Sequence, residues 1–131
     1  MKVRLYTDEE MKILKQNIFI RDIKYQREIV YDPIFKLWTI MMRLDCPELS
    51  AREIFERAGI DSTILHKNLP QRRIKEWYDN YYRFGLAYFL PEQSHYFTIR
   101  KKKKISNTID DFKSQLLNCV LQRLKYHEEN M

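Results

Sequence analysis

Residues 50–84 read SAREIFERAGIDSTILHKNLPQRRIKEWYDNYYRF: a short capped helix, a glycine corner and a second, basic helix. Ser50 and Glu53 form an S-x-x-E capping box, in which the hydroxyl takes an orphan helical N–H and the glutamate reaches back to the cap's own amide. Ile54, Phe55 and Ala58 recur at helical spacing, and Gly59 ends the helix where a left-handed residue costs least. Pro70 then opens the next helix at a position that tolerates proline. Gln71, Arg72, Arg73 and Lys75 crowd its first turns. Cations at a helix N-terminus oppose the macrodipole, so packing alone gives little reason to place them there, whereas contact with an anion does. These are the parts of a helix-turn-helix.

The charge map agrees. Residues 1–65 have net charge 0, residues 66–104 have +7 and residues 105–131 have −1, so the whole +6 of the chain sits in its central block. That block holds the basic helix and the run Arg100-Lys101-Lys102-Lys103-Lys104. A localised excess of this kind is the footprint of a polyanion binder, although a lysine run by itself is also common on solvated surface.

Outward from the centre, Asp32-Pro33 reads as a cap followed by proline at the first helical position. Phe35, Trp38, Met41, Met42 and Leu44 form a helical stripe up to Asp45. Cys46-Pro47-Glu48-Leu49 is the connector into Ser50, since the residue before a proline avoids helical geometry. Thr7 and Glu10 make another capping box, opening a short helix to about Asn17. Residues 18–31, IFIRDIKYQREIVY, alternate only in part and read as extended, either two short strands or a connector.

The order D-P-I-F-K, then S-A-R-E-I-F-E-R-A-G-I-D, then K-N-L-P-Q-R-R-I-K-E-W resembles helix-turn-helix proteins related to the small DNA-binding subunit of insertion-sequence transposases. The likeness covers about residues 30–84. It departs from the family pattern in the insertion of Leu69 between Asn68 and Pro70 and in the absence of a D-D-E catalytic domain. The resemblance implies DNA binding without transposition.

In such a unit Ile54, Phe55, Ile60, Leu65, Ile74 and Trp77 hold the two helices together, with Trp77 in the core. Lys67, Asn68, Gln71, Arg72 and Lys75 face outward as the reader. Arginine can bridge guanine O6 and N7, and glutamine or asparagine can pair with adenine N6 and N7 in the major groove. The expected DNA contacts are therefore Lys67, Asn68, Gln71, Arg72, Arg73, Lys75, Arg100, Lys101, Lys102, Lys103 and Lys104.

After Gly85 the sequence LAYFL-PEQS-HYFTIRKKKK suggests a β-hairpin that would serve as a basic wing over a phosphate backbone. The rival reading makes Tyr88, Phe89, Tyr96 and Phe97 a stacking platform for single strands. The last segment, with Asp110 and Asp111 favourable to the dipole of a helix from Thr108 to about His127, carries an apolar stripe. Its members are Ile109, Phe112, Leu116, Cys119, Val120 and Leu124, widened by Leu117 and Leu121. The stripe either packs on its own domain or forms a homodimer seam.

The expected architecture is mainly α: an N-terminal helix and connector (1–31), a helix-turn-helix with a basic hairpin wing (32–104), and a C-terminal amphipathic helix (105–131). At 131 residues with 44% hydrophobic residues the chain suits one domain with a real core. No apolar run approaches the roughly 18 residues of a spanning helix, and the start MKVRLYTDEE is unlike a signal peptide, so no membrane partner and a cytoplasmic location are expected. Cys46 and Cys119 read as buried or idle thiols of a reducing compartment, and His66, His95 and His127 are too scattered to suggest a metal, so no cofactor is expected. With only Gly59 and Gly85 there is no glycine-rich phosphate loop, nor is there a nucleophile–base constellation, and an enzyme is not expected. The functional expectation is a non-catalytic duplex-DNA-binding protein of helix-turn-helix type, a transposase-derived accessory or a transcriptional regulator. The competing class is an RNA- or single-strand-binding module or a protein–protein adaptor using the same basic block.

Overall fold

The computed structural model describes residues 5–90 and 108–130. The described chain is mainly helical, with one small antiparallel hairpin near its start and a long helix at its end. Helix α1 (Asp8–Lys15) begins with the expected capping box: Glu10 N donates to Thr7 Oγ1 at 3.1 Å and Thr7 N to Glu10 Oε1 at 2.9 Å. The partly alternating stretch that follows forms strands β1 (Ile20–Lys24) and β2 (Glu28–Tyr31), with an irregularity in register between Ile20 and Asp22. The turn between them holds Tyr25 and Gln26 at φ 56° and 55°. Asparagine and glycine reach that left-handed geometry at lower cost, so the sequence carries none of the usual signal for this hairpin.

Asp32 caps α2 (Pro33–Asp45), its Oδ1 accepting from Ile34 N at 2.9 Å. The carboxylate is wholly buried, and Lys113 Nζ at 3.0 Å and Arg21 Nε at 3.5 Å bring it cations from two other elements. A buried charge is tolerable only when paired in this way. The residues of α2 that bury fully are Ile34, Phe35, Leu37, Thr39 and Ile40. Of the stripe read from the sequence only Phe35 is among them; Trp38, Met41, Met42 and Leu44 are half-buried. The reason is that α2 is packed by α3 (Ala51–Arg57), α4 (Leu69–Phe84), α5 (Leu86–Phe89) and α6 (Thr108–Glu129). A helix surrounded by neighbours is apolar on several sides and has no single stripe.

Ser50 and Glu53 cap α3 reciprocally, and Gly59, at φ 83°, closes it. The Asn17 amide at the end of α1 donates to Ala58 O at 2.8 Å, while its Oδ1 accepts from Phe19 N. One side chain thus ties the start of the hairpin to the end of α3. The connection from Ala58 to Asn68 is longer than the three or four residues, roughly, of a tight helix-turn-helix. It is not idle, because Ile60, Ile64 and Leu65 are buried and Ser62 Oγ donates to Glu56 Oε1 at 2.6 Å.

Helix α4 supplies Pro70, Ile74, Trp77 and Tyr81 to the core. Trp77 meets Tyr31 and Phe35 edge-on at 5.1 and 5.8 Å between centroids and lies parallel to Phe55 at 6.2 Å. All six residues expected to hold the two helices together are buried.

The wing expectation needs a correction at its first arm. Residues 86–89 are a helical turn, α5, and Leu90 N donates to Leu86 O at 3.0 Å. Alternation along a strand would send Phe89 and Leu90 to opposite faces; here both are buried in the core. The rest of that expected hairpin, together with Tyr96, Phe97 and Arg100 to Lys104, lies outside the described residues.

Helix α6 packs along α2, burying Leu117, Val120 and Leu124, while Phe112 and Cys119 are exposed. Of the two readings of its stripe, the structure favours the intramolecular one: the centre of the proposed seam already has its partner in α2. Its C-terminal end is clamped, with Arg123 Nη2 and His127 Nε2 reaching Asp45 Oδ1 at 2.7 and 2.5 Å and Glu128 bonding the Tyr81 hydroxyl. One core cluster runs from Tyr6 to Leu124.

Candidate nucleic-acid interface

Because Pro70, Ile74, Trp77 and Tyr81 fix one side of α4 against the core, helical geometry assigns every other position on it. Gln71, Arg72 and Lys75 are exposed, as are Lys67 and Asn68 in the turn before it. The five residues expected to face outward do so. Gln71, Lys75, Tyr78 and Tyr82, at spacings of four, three and four, form a single row along the flank that borders α2.

Arg73 falls on the opposite flank. It is half-buried and its Nη1 donates to Glu76 Oε2 at 2.8 Å. Around it lie Lys36, whose Nζ stands 5.9 Å from the Trp77 ring centroid, and the hydroxyl of Tyr31. Burial holds the Lys36 ammonium below the usual lysine range, the nearby Arg73 and Arg21 charges add to this, and Glu76 opposes them. Arg73 is therefore paired with Glu76 on the flank that faces Lys36 and Tyr31, in contrast to the more exposed Arg72 one residue earlier.

Two adjoining depressions flank the first turns of α4. One, about 430 Å3, is lined by Arg43, Ser50, Ala51, Arg52, Lys67, Asn68, Pro70 and Gln71. The other, about 380 Å3, is lined by Arg43, Leu44, Gln71, Ile74, Lys75 and Tyr78. They share Arg43 and Gln71, so together they make one groove running from the N-terminus of α3 along the α2–α4 seam. Among the described residues, no carboxylate lines either part. Arg43 is half-buried, and its Nη1 donates to Leu49 O at 3.0 Å, which fixes the guanidinium at the middle of the groove while its other donors remain for a ligand.

At the far end the Tyr78 and Tyr82 rings stand 4.8 Å apart, tilted by 55°, with their hydroxyls bonded at 3.2 Å. Burial, then the bond to Tyr82, pushes the Tyr78 phenol up to about 12.

Sequence reasoning missed Arg43 and Arg52. Arg43 sits among apolar residues near the end of α2, where it reads as an ordinary C-terminal cation, and Arg52 lies within a balanced stretch of charges. Only their approach to Lys67 and Gln71 gives them a role. Phe89, expected on a stacking platform, is buried, while Tyr88 stacks on Phe84 at 5.2 Å and is exposed. Among the described residues, no group of three or more His, Cys, Asp or Glu side chains could hold a metal, and no helix is long and apolar enough to cross a membrane.

Compared with protein-family models, curated proteins and solved structures, the chain gives no match.

Proposed function

We propose that this protein binds duplex DNA through the N-terminal half of α4 and acts without catalysis, as an accessory or regulatory factor. The observation that carries this reading is the groove around Arg43. Arg43, Arg52, Lys67 and Lys75 line it from three helices and a turn with no carboxylate among the described lining residues, and Asn68 and Gln71 stand between them as neutral donors and acceptors. Cations supply phosphate contacts that position the protein, and the amides can read base edges. The outward Arg72 extends the cationic surface. The resemblance of residues 30–84 to the transposase DNA-binding subunits supports the same reading, and the Arg100–Lys104 run adds charge of the same sign.

The test is fluorescence anisotropy with random-sequence duplexes and matched single strands between 50 and 200 mM salt. Neutralising one phosphate contributes about 0.9 to the slope of log affinity against log salt, so Lys67→Ala with Arg72→Ala should shallow it by up to roughly 1.8 and weaken binding. Arg73→Ala, on the opposite flank and already paired with Glu76, should change the slope little. A folded double variant that binds duplex DNA with parental affinity and slope would overturn the proposal.

A further inference from the structure

Helix α6 gives Leu117, Val120 and Leu124 to the core, and two members of the apolar stripe read from its sequence, Phe112 and Cys119, are left exposed. They belong to a second row. Phe112, Gln115, Cys119, Gln122 and Tyr126 follow one another at spacings of three, four, three and four, and all five are exposed. At about 100° per residue this row is centred roughly 150° round the helix from the buried side, so it faces away from α2. Phe112 is 49% exposed, and Tyr126 is 51% exposed although Arg123 lies over its ring at 4.8 Å.

Steps of three and four residues in alternation are the spacing of a helix–helix seam. The row also has the composition of an interface core, which is depleted in charge and enriched in aromatic residues. In a chain of which 32% is charged its five residues are all uncharged, and two are large aromatics. A row with no cation in it is not built for a polyanion.

From this pattern we infer that the outward row of α6 is an interface with a second copy of the chain, the two helices running antiparallel about a twofold axis at Cys119. Two features select a second copy over an unrelated protein. First, the row is self-complementary: it reads aromatic, Gln, Cys, Gln, aromatic in either direction, as an isologous contact demands. Antiparallel pairing sets Phe112 against Tyr126 of the second copy and Gln115 beside its Gln122, where the two amides can donate to and accept from each other. Second, the exposed charges at the two ends are opposite in sign, with Asp111 at one and Lys125 at the other. Both lie on the same flank of the row, and antiparallel helices bring like flanks together. Asp111 then stands about 3 Å along the axis from Lys125 of the second copy, at 1.5 Å per residue, and the twofold makes that pair twice. Lys113, level with the same Lys125, does not oppose it, because its Nζ is turned inward to Asp32 at 3.0 Å.

None of the groove residues lies in the row, so self-association and DNA binding are tested apart. Where both hold, the dimer carries two α4 helices, as proteins that bind paired half-sites do.

Sedimentation velocity on the full chain reads the mass, and a short bis-maleimide reads the axis, since only a residue on the twofold lies opposite itself. The chain should sediment as a dimer and be linked through Cys119, with peptide mapping to separate this from the half-buried Cys46. Phe112→Glu, at an exposed position, should keep its helical circular dichroism, become monomeric and lose the link. Asp111→Lys should weaken the dimer roughly two- to thirtyfold, the range for two exposed ion pairs, and adding Lys125→Asp should restore it. A monomeric mass throughout the soluble concentration range would overturn the interface and leave the row to an unrelated partner. A dimer that is not linked at Cys119, or a folded Phe112→Glu chain that stays dimeric, would place self-association elsewhere and overturn it equally. A charge swap that fails to restore the dimer would overturn the antiparallel arrangement.

Discussion

Trp77→Ala tests whether α4 is anchored as the structure has it. The indole is 3% exposed and is the meeting point of Tyr31, Phe35 and Phe55, with Lys36 over its face. A buried aromatic of this size removes roughly 150–250 Å2 from water, or about 4–6 kcal/mol at 25 cal/mol per Å2 before allowance for burial in the unfolded chain. Alanine retains the Cβ, which lowers the loss, whereas the cavity and the lost ring pairs raise it. The expected cost is about 3–5 kcal/mol, comparable with the entire stability of many small domains. Urea unfolding followed by far-ultraviolet circular dichroism reads this directly and does not depend on the fluorescence of the remaining Trp38. The predicted result is a protein unfolded at 25 °C or one whose midpoint collapses. A Trp77→Ala protein within about 1 kcal/mol of the parent that had lost only DNA affinity would refute the reasoning, since a surface substitution has that signature.

Two further predictions concern the clamp on α6 and the hairpin. The Arg123 guanidinium, and then His127, hold the Asp45 carboxyl below its ordinary value of 3.8. The folded state thus favours the ionised form, and the resulting stability is complete above that ordinary value and is lost as pH falls through the lower, folded one. Asp45→Asn should therefore lower the melting temperature at neutral pH and flatten its decline in acid; a parent and variant with parallel profiles down to pH 2 would exclude the clamp. At the hairpin, Tyr25 and Gln26 occupy left-handed backbone geometry that costs a non-glycine residue roughly 1–2 kcal/mol. Tyr25→Asn with Gln26→Gly should raise the melting temperature by several degrees, and a fall would mean that the exposed Tyr25 ring stabilises the turn by a contact of its own.

Local chemistry is legible along the chain, and so the helix starts are too. Thr7 with Glu10, Asp32 with Pro33, and Ser50 with Glu53 mark their helices because a cap bonds amides only three residues away. Gly59 marks an end for the same local reason. The core of the two central helices was likewise readable, since Ile54, Phe55, Ile74 and Trp77 recur at helical spacing and few arrangements could bury them all. The outward set at Lys67, Asn68, Gln71, Arg72 and Lys75 follows once that buried side is known.

Tertiary structure decided what depends on partners distant in sequence. Residues 86–90 are an apolar, aromatic run before a turn-forming Pro-Glu-Gln-Ser and read as a strand, yet residues 86–89 form a helical turn because both Phe89 and Leu90 find room in the core beside α2 and α4. The stripe of α6 had no addressee until α2 was in place to receive Leu117, Val120 and Leu124. Arg72 and Arg73 are indistinguishable as neighbours in sequence; packing leaves one fully outward and turns the other, half-buried, to Glu76 on the flank of Lys36. Arg43 and Arg52 joined the candidate site only because the long connection after Gly59 folds Lys67 back toward them. Capping and periodicity act over one helical turn, so the sequence displays them; a groove is made by side chains from several elements, and its charge and shape exist only after those elements have packed.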